Sequence, residues 1–147
     1  MIDPTRPNYP VPLAAGLTRL PVGGQVSCGF PSPAADHKQP ELSLDELVGL
    51  GPRSSLFLLE AWGDSMRDHG IYNGDILIVD KAAEAKLGNI VVAIIDSEFL
   101  VKKIGKTADN RMALLSGNTD YKPIILEEDQ AVDIWGVCTW NLHRHTS

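Results

Sequence analysis

The run Ile90-Val91-Val92-Ala93-Ile94-Ile95-Asp96-Ser97-Glu98-Phe99-Leu100-Val101-Lys102-Lys103-Ile104 decides the fold class. Its first six residues are apolar and mostly β-branched, and branched side chains suit a pleated strand better than a helix. Asp96-Ser97 then breaks the run, and a second strand-like segment follows from Glu98. Two such segments around a two-residue break predict a tight hairpin, although Asp-Gly would suit a type I′ turn better than Asp-Ser. Runs of the same kind lie on both sides: Ser55 to Trp62, Ile76 to Asp80, Met112 to Leu115, Ile124 to Leu126 and Asp133 to Trp140, separated by Gly, Asn and Asp. Seven short strands over about 90 residues predict a mainly β domain, a folded antiparallel barrel or sandwich. Ahead of them, Ser43-Leu44-Asp45-Glu46 has the capping-box pattern and opens one short helix that should stop near Gly49-Leu50-Gly51-Pro52.

The front of the chain reads differently. Eight of the ten prolines fall in the first 40 residues. Proline removes backbone donors and fixes φ, so it blocks helix and disfavours interior strands. Residues 1–40 therefore read as an extended arm and residues 41–147 as the folded β domain. Val11, Leu13, Leu17, Leu20, Val22 and Val26 make the arm apolar enough to dock on the body.

The 147 residues carry 13 basic and 19 acidic side chains, a net charge of −6. That balance argues against direct, sequence-specific grip on DNA, because phosphate binding needs a basic surface. The longest strongly apolar run, Ile90 to Ile95, is far short of the roughly 20 residues of a membrane span, and the start lacks a signal-peptide pattern. Two cysteines, Cys28 and Cys138, make no disulfide framework and point to a reducing cytoplasm. No CxxC or HExxH occurs, so no metal or other cofactor is expected.

Gly63-Asp64-Ser65-Met66 follows the first strand and would present a serine hydroxyl on a sharp turn. A serine needs a base to act as a nucleophile. His69 is close in sequence and sits in a polar loop, His143 and His145 lie at the C-terminus, and His37 lies in the arm. The trypsin-type continuation GDSGG is absent, as is the Asp-x-x-His of GDSL esterases. Lysine remains. Period-two alternation puts Lys102 on one face of its strand with Leu100 and Ile104, and Lys103 on the other with Phe99 and Val101. Periodicity alone leaves open which of the two points inward. A desolvated lysine has a lowered pKa and serves as a general base when neutral.

Taken together, Cys28-Gly29-Phe30-Pro31-Ser32-Pro33-Ala34-Ala35-Asp36, Gly63-Asp64-Ser65-Met66, Gly74-Asp75-Ile76-Leu77-Ile78-Val79-Asp80 and Glu98-Phe99-Leu100-Val101-Lys102-Lys103 resemble the UmuD-type SOS mutagenesis proteins and their LexA-type peptidase relatives. The resemblance spans about residues 28–140. It implies a compact LexA- or signal-peptidase-like β fold with one short helix and an extended N-terminal arm. It implies that Ser65 is the nucleophile, that Lys102 is the general base 37 positions later, and that the bond cut is Cys28–Gly29 of the chain itself. The backbone N–H groups of Ser65 or Met66 are the candidate oxyanion donors, with Met66 put first. The resemblance further implies stimulation by a RecA–single-stranded-DNA filament, homodimerisation, and a processed form that serves a Y-family DNA polymerase catalytic subunit in synthesis past lesions.

Three other functions compete with this one. A LexA-like transcriptional repressor needs a DNA-reading domain before the cut, whereas the 28 residues there hold five prolines and no helical pattern. A signal peptidase shares the Ser/Lys chemistry but needs a membrane anchor. A non-cleaving polymerase-binding module would keep the β fold without the dyad. Trp62, Trp135 and Trp140 are expected in the core or at a dimer interface, and Cys138 is expected to serve packing.

Overall fold

The computed structural model describes residues 11–12, 19–21, 28, 41–51, 54–126 and 132–146. In chain order these form β1 (Val11–Pro12), β2 (Arg19–Pro21), β3 (Glu41–Ser43), α1 (Leu44–Val48), β4 (Leu56–Glu60), a 3-10 turn (Arg67–His69), β5 (Ile76–Asp80), β6 (Ile90–Ile95), β7 (Glu98–Lys106), β8 (Met112–Leu115), β9 (Ile124–Ile125) and β10 (Val132–Leu142). The protein is mainly β with one short α-helix, as its short apolar runs and the Ser43-x-x-Glu46 pattern predict. Among the described residues, no helix is long and apolar enough to cross a membrane. Two compact units are distinguished: one holds β1 and everything from Ser54 onward, and the other holds β2, β3 and α1.

The larger unit is built on one eight-stranded sheet in the order β1-β4-β5-β10-β6-β7-β8-β9. Every pairing in it is antiparallel. The last long strand of the chain, β10, lies between β5 and β6, so the C-terminal strand closes the middle of the sheet. Both faces of β6 are buried. Val92 packs with Leu77, Val79 and Trp135 on one side, while its neighbours Val91 and Ala93 pack with Ile104, Leu114 and Val137 on the other. This explains why Ile90 to Ile95 is continuously apolar instead of alternating. Trp135 anchors the first cluster and meets the rings of Phe57 and Phe99 edge-on, with centroids 5.0 and 5.7 Å away. The other two tryptophans differ from that core role: Trp62, just past the end of β4, is 93% exposed, and Trp140 is 43% exposed.

The strand limits match the apolar runs closely at β5 and β8, and β10 extends past Trp140 to Leu142. β10 carries two register shifts, between Ile134 and Gly136 against β6 and between Cys138 and Trp140 against β5. Within the expected arm, Val11 and Pro12 pair with Leu58 and Phe57 of β4. β1 is an edge strand, where the missing proline donor does no harm.

In the smaller unit, Arg19–Pro21 pair with Glu41–Ser43. Ser43 caps α1 as the Ser43-x-x-Glu46 pattern predicts. Ser43 Oγ accepts the Glu46 N–H at 3.0 Å, and Gly49 ends α1 in the left-handed conformation at φ 85°.

The β6–β7 hairpin shows what the Asp-Ser turn demands. Ile95 pairs with Glu98, and Asp96 and Ser97 both take positive φ, at 50° and 66°. This is the primed turn whose twist suits a hairpin, made with two residues that have a Cβ. Ser97→Gly is therefore expected to raise the thermal midpoint by about 1–3 °C, read by calorimetry. An unchanged or lower midpoint would show that the Ser97 side chain stabilises the turn more than its backbone strains it.

Candidate active site

The chain leaves β4 toward Ser65 through a tightly held corner. Ala61 N–H donates to the Asp75 carbonyl at 2.7 Å, and Gly74 N–H donates back to the Ala61 carbonyl at 2.8 Å. Gly63 then takes φ 94°, a conformation that favours glycine, and its N–H is received by Asn73 Oδ1 at 2.8 Å. The turn at Asp64-Ser65 leads into the 3-10 turn, with Met66 buried beneath it. Ser65 is half-buried. It lines a cleft of about 260 Å³ whose walls include Leu59, Trp62, Met66, Phe99 and Val101.

Asp75 holds this corner from behind. Its carboxylate is 1% exposed and accepts from Tyr72 N–H at 2.9 Å, Asn141 Nδ2 at 3.0 Å and the His143 ring at 2.5 Å. Burial pushes the Asp75 carboxyl up, but the Tyr72 N–H, His143 and Asn141 outweigh it and hold the group below its ordinary value. His143, expected on a solvated tail, instead ties the end of the chain to this carboxylate, and its ring lies 4.9 Å from Tyr72 and 5.0 Å from His145. Among the described residues, no group of three or more His, Cys, Asp or Glu side chains is placed to hold a metal.

The ambiguity of the two lysines ends in the structure. Lys102 is 6% exposed on the face it shares with Ile104, whereas Lys103 is half-buried. Burial pushes the Lys102 amine below the usual lysine range. Nζ donates to Ser116 Oγ at 2.8 Å and stands 5.2 Å from the centre of the Tyr121 ring. The ring's negative face favours the ammonium and so opposes part of the burial effect. Among the described residues, no hydrogen bond joins Lys102 to Ser65, and the lysine's polar partner is Ser116.

The segment Ser116-Gly117-Asn118-Thr119-Asp120-Tyr121 contacts both Lys102 and the turn of Ser65. Asp68 N–H donates to the Gly117 carbonyl at 2.8 Å, Asn118 Nδ2 donates to the Asp64 carbonyl at 3.1 Å, and Tyr121 OH donates to Asp64 Oδ1 at 3.0 Å. Tyr121 thus touches the turn of Ser65 with its hydroxyl and Lys102 with its ring. That hydroxyl is harder to ionise than usual because it is donated to the Asp64 carboxylate. Gly117 is needed for the approach: a Cβ there would lie 2.7 Å from His69 Cδ2 and 3.1 Å from the His69 backbone nitrogen. Sequence reasoning missed this segment. The available signal was the polar interruption between two apolar runs, and a buried asparagine (3% exposed) has no periodic signature.

The remaining candidates are placed as follows. Cys28 is exposed and unpaired by disulfide, while Gly29 lies outside the described residues. Cys138 is half-buried, its thiol donates to the Trp140 carbonyl, and burial pushes its pKa up to about 11, in keeping with a packing role.

The family model described as Peptidase S24-like matches residues 21–139. Protein MucA of Salmonella typhimurium is 39% identical over 122 residues, covering 82% of each chain. Protein SamA of the same species is 41% identical over 119 residues, covering 81% of each. The LexA repressor of Bordetella petrii is 40% identical over 124 residues, which are 84% of this chain but 54% of the repressor.

The corner around Asp75 carries a pH dependence with a defined sign. Its folded pKa lies below the unfolded value of about 4, so its contribution is complete above that value and lost as pH falls through the folded one. Asp75→Asn is expected to lower the thermal midpoint at pH 7 and to flatten its decline as the solution is acidified below about pH 4. Parallel declines in both proteins would remove Asp75 from the account of acid stability.

Proposed function

The chain belongs to the Peptidase S24-like family, and we propose that it is a self-cleaving serine peptidase of the SOS response. Ser65 is its nucleophile, Lys102 its general base, and Cys28–Gly29 the bond it cuts. The observation that carries this reading is the burial of Lys102, with its lowered pKa, against the segment that also grips the turn of Ser65.

The steps follow from the side chains. Neutral Lys102 takes the Ser65 hydroxyl proton, and the Ser65 oxygen attacks the Cys28 carbonyl carbon. The negative charge that forms on the carbonyl oxygen is met by backbone N–H groups at the start of the 3-10 turn, with Met66 the candidate donor. The Lys102 ammonium returns its proton to the Gly29 nitrogen as the bond breaks. Water, deprotonated by the same amine, then releases the acyl group from Ser65. In the resting state Lys102 and Ser65 are not hydrogen-bonded, and the entering segment tightens them, as catalytic hydrogen bonds tighten in a Michaelis complex.

The biological reading rests on the similarity to MucA and SamA over most of each chain. A RecA–single-stranded-DNA filament stimulates the cut. Residues 29–147, with 11 basic and 18 acidic side chains, then serve as a homodimeric partner of a Y-family polymerase catalytic subunit in the cytoplasm. Exposed Trp140 and Leu142 at the end of β10 suit such contacts. A repressor role is the second reading, favoured by the similarity to LexA over 84% of this chain; operator binding by the pure protein would establish it.

Incubation with RecA filaments, followed by intact-mass measurement, is expected to give one new large species starting at Gly29. Ser65→Ala is expected to stay whole. Cleavage of Ser65→Ala at the normal rate would end the assignment of the nucleophile.

Burial of Lys102 also sets a stability sign. Between its lowered folded pKa and the unfolded value of about 10.4 the unfolded chain binds the extra proton, so stability rises with pH across that window. Lys102→Met is therefore expected to abolish cleavage and raise the thermal midpoint at pH 7, with the gain shrinking as pH approaches 10. A lower midpoint at pH 7 would show that the Ser116 and Tyr121 contacts outweigh the desolvation.

A further inference from the structure

Lys102 lies one step beyond the last cross-strand pair of β7 and β8. Lys103 pairs with Leu115, so the antiparallel register sets Ser116 opposite Lys102. Residues opposite each other in an antiparallel pair project to the same face. This places the Ser116 hydroxyl beside the buried amine, and the two are joined at 2.8 Å. On the other side of β7, the residue opposite Lys102 is Val91, which is fully buried and offers no polar side-chain atom.

We propose that Ser116 is a positioning residue for Lys102, accepting one N–H of the amine so that the nitrogen lone pair is left for the Ser65 hydroxyl. The inference rests on the Ser65/Lys102 reading above and deepens it. A neutral amine has two N–H donors and one lone pair, and rotation about Cε–Nζ is otherwise free. An acceptor fixed at 2.8 Å selects the rotamer in which an N–H, not the lone pair, faces Ser116. When the Ser65 proton arrives, Nζ becomes an ammonium and keeps the same bond, now charge-assisted. Ser116 itself neither gains nor loses a proton.

The acceptor is held firmly because the residues after it are tied to the turn of Ser65. Gly117 receives Asp68 N–H, and Asn118 donates to the Asp64 carbonyl. The hydroxyl that orients the base is thereby set in the same frame as the nucleophile. The other titratable groups around the amine are Tyr121, whose ring faces it, Asp64 behind the Tyr121 hydroxyl, and His69 and Asp68, which line the surface cavity beside Ser116. None of these four residues is itself altered in a Ser116 variant.

The test is the rate of self-cleavage without RecA, followed by intact mass across a pH series, for the full chain and for Ser116→Ala, Ser116→Val and Ser116→Thr. Valine and threonine have the same shape and differ in the hydroxyl, so this pair reads the hydrogen bond even if alanine disturbs folding. Ser116→Ala and Ser116→Val are expected to lower the alkaline plateau rate about ten- to a hundredfold. They are also expected to move the midpoint of the pH profile about one unit toward acid, because the ammonium loses its acceptor. Ser116→Thr is expected to restore both rate and midpoint. Equal rates and midpoints in the valine and threonine proteins would overturn the proposal, as would a valine rate loss with an unmoved midpoint. If the unaltered chain does not cut itself, or Ser65→Ala does, the Ser/Lys reading fails instead, and the two failures are told apart.

Discussion

The candidate site turns on one lysine amine placed where water is scarce. Each unit by which a lysine pKa is lowered represents about 1.4 kcal/mol of lost preference for the charged form. A fold that keeps Lys102 at 6% exposure must over-determine its position. The neighbours on both sides of β7 do so: β6 presents fully buried Val91, and the end of β8 presents Ser116. The six-residue apolar strand, the hairpin and the edge of β8 are the parts that hold one basic nitrogen still and largely dry.

A second constraint operates on the serine side. The turn of Ser65 is fastened from behind by the Asn73–Asp75 corner and from above by Asn118 and Tyr121. Asp75 in turn recruits Tyr72, Asn141 and His143, so the C-terminal end of β10 secures the turn of Ser65 from a distance. Residues from stretches far apart in sequence thus hold the turn of Ser65. Holding both segments in one frame leaves the entering segment only a short adjustment to make, and orientation of this kind is worth much of a reaction barrier.

Much of this was legible in the sequence, and the exceptions have physical reasons. Apolar runs bounded by Gly, Asn and Asp located β5 and β8 to the residue, because burial of a strand writes itself directly into side-chain type. Ser43-x-x-Glu46 named its helix for the same local reason. Periodicity limited the inward lysine to two candidates and could go no further, since both faces of the β6–β7 region carry apolar residues. The clamp at residues 116–121 was invisible because its bonds join positions 54 and 57 apart in the chain. The Asp75–His143 pair, 68 positions apart, was hidden likewise, and a histidine near the terminus reads as solvated until the strand that delivers it is known.

The central claim, that Lys102 is a base poised by burial, is tested most directly by titrating its side chain. The Lys102 Cε chemical shift, followed by NMR against pH in the uncleaved Ser65→Ala protein, reports the amine itself. The account predicts a midpoint clearly below the ordinary lysine value of about 10.4. A midpoint at or above that value would contradict it.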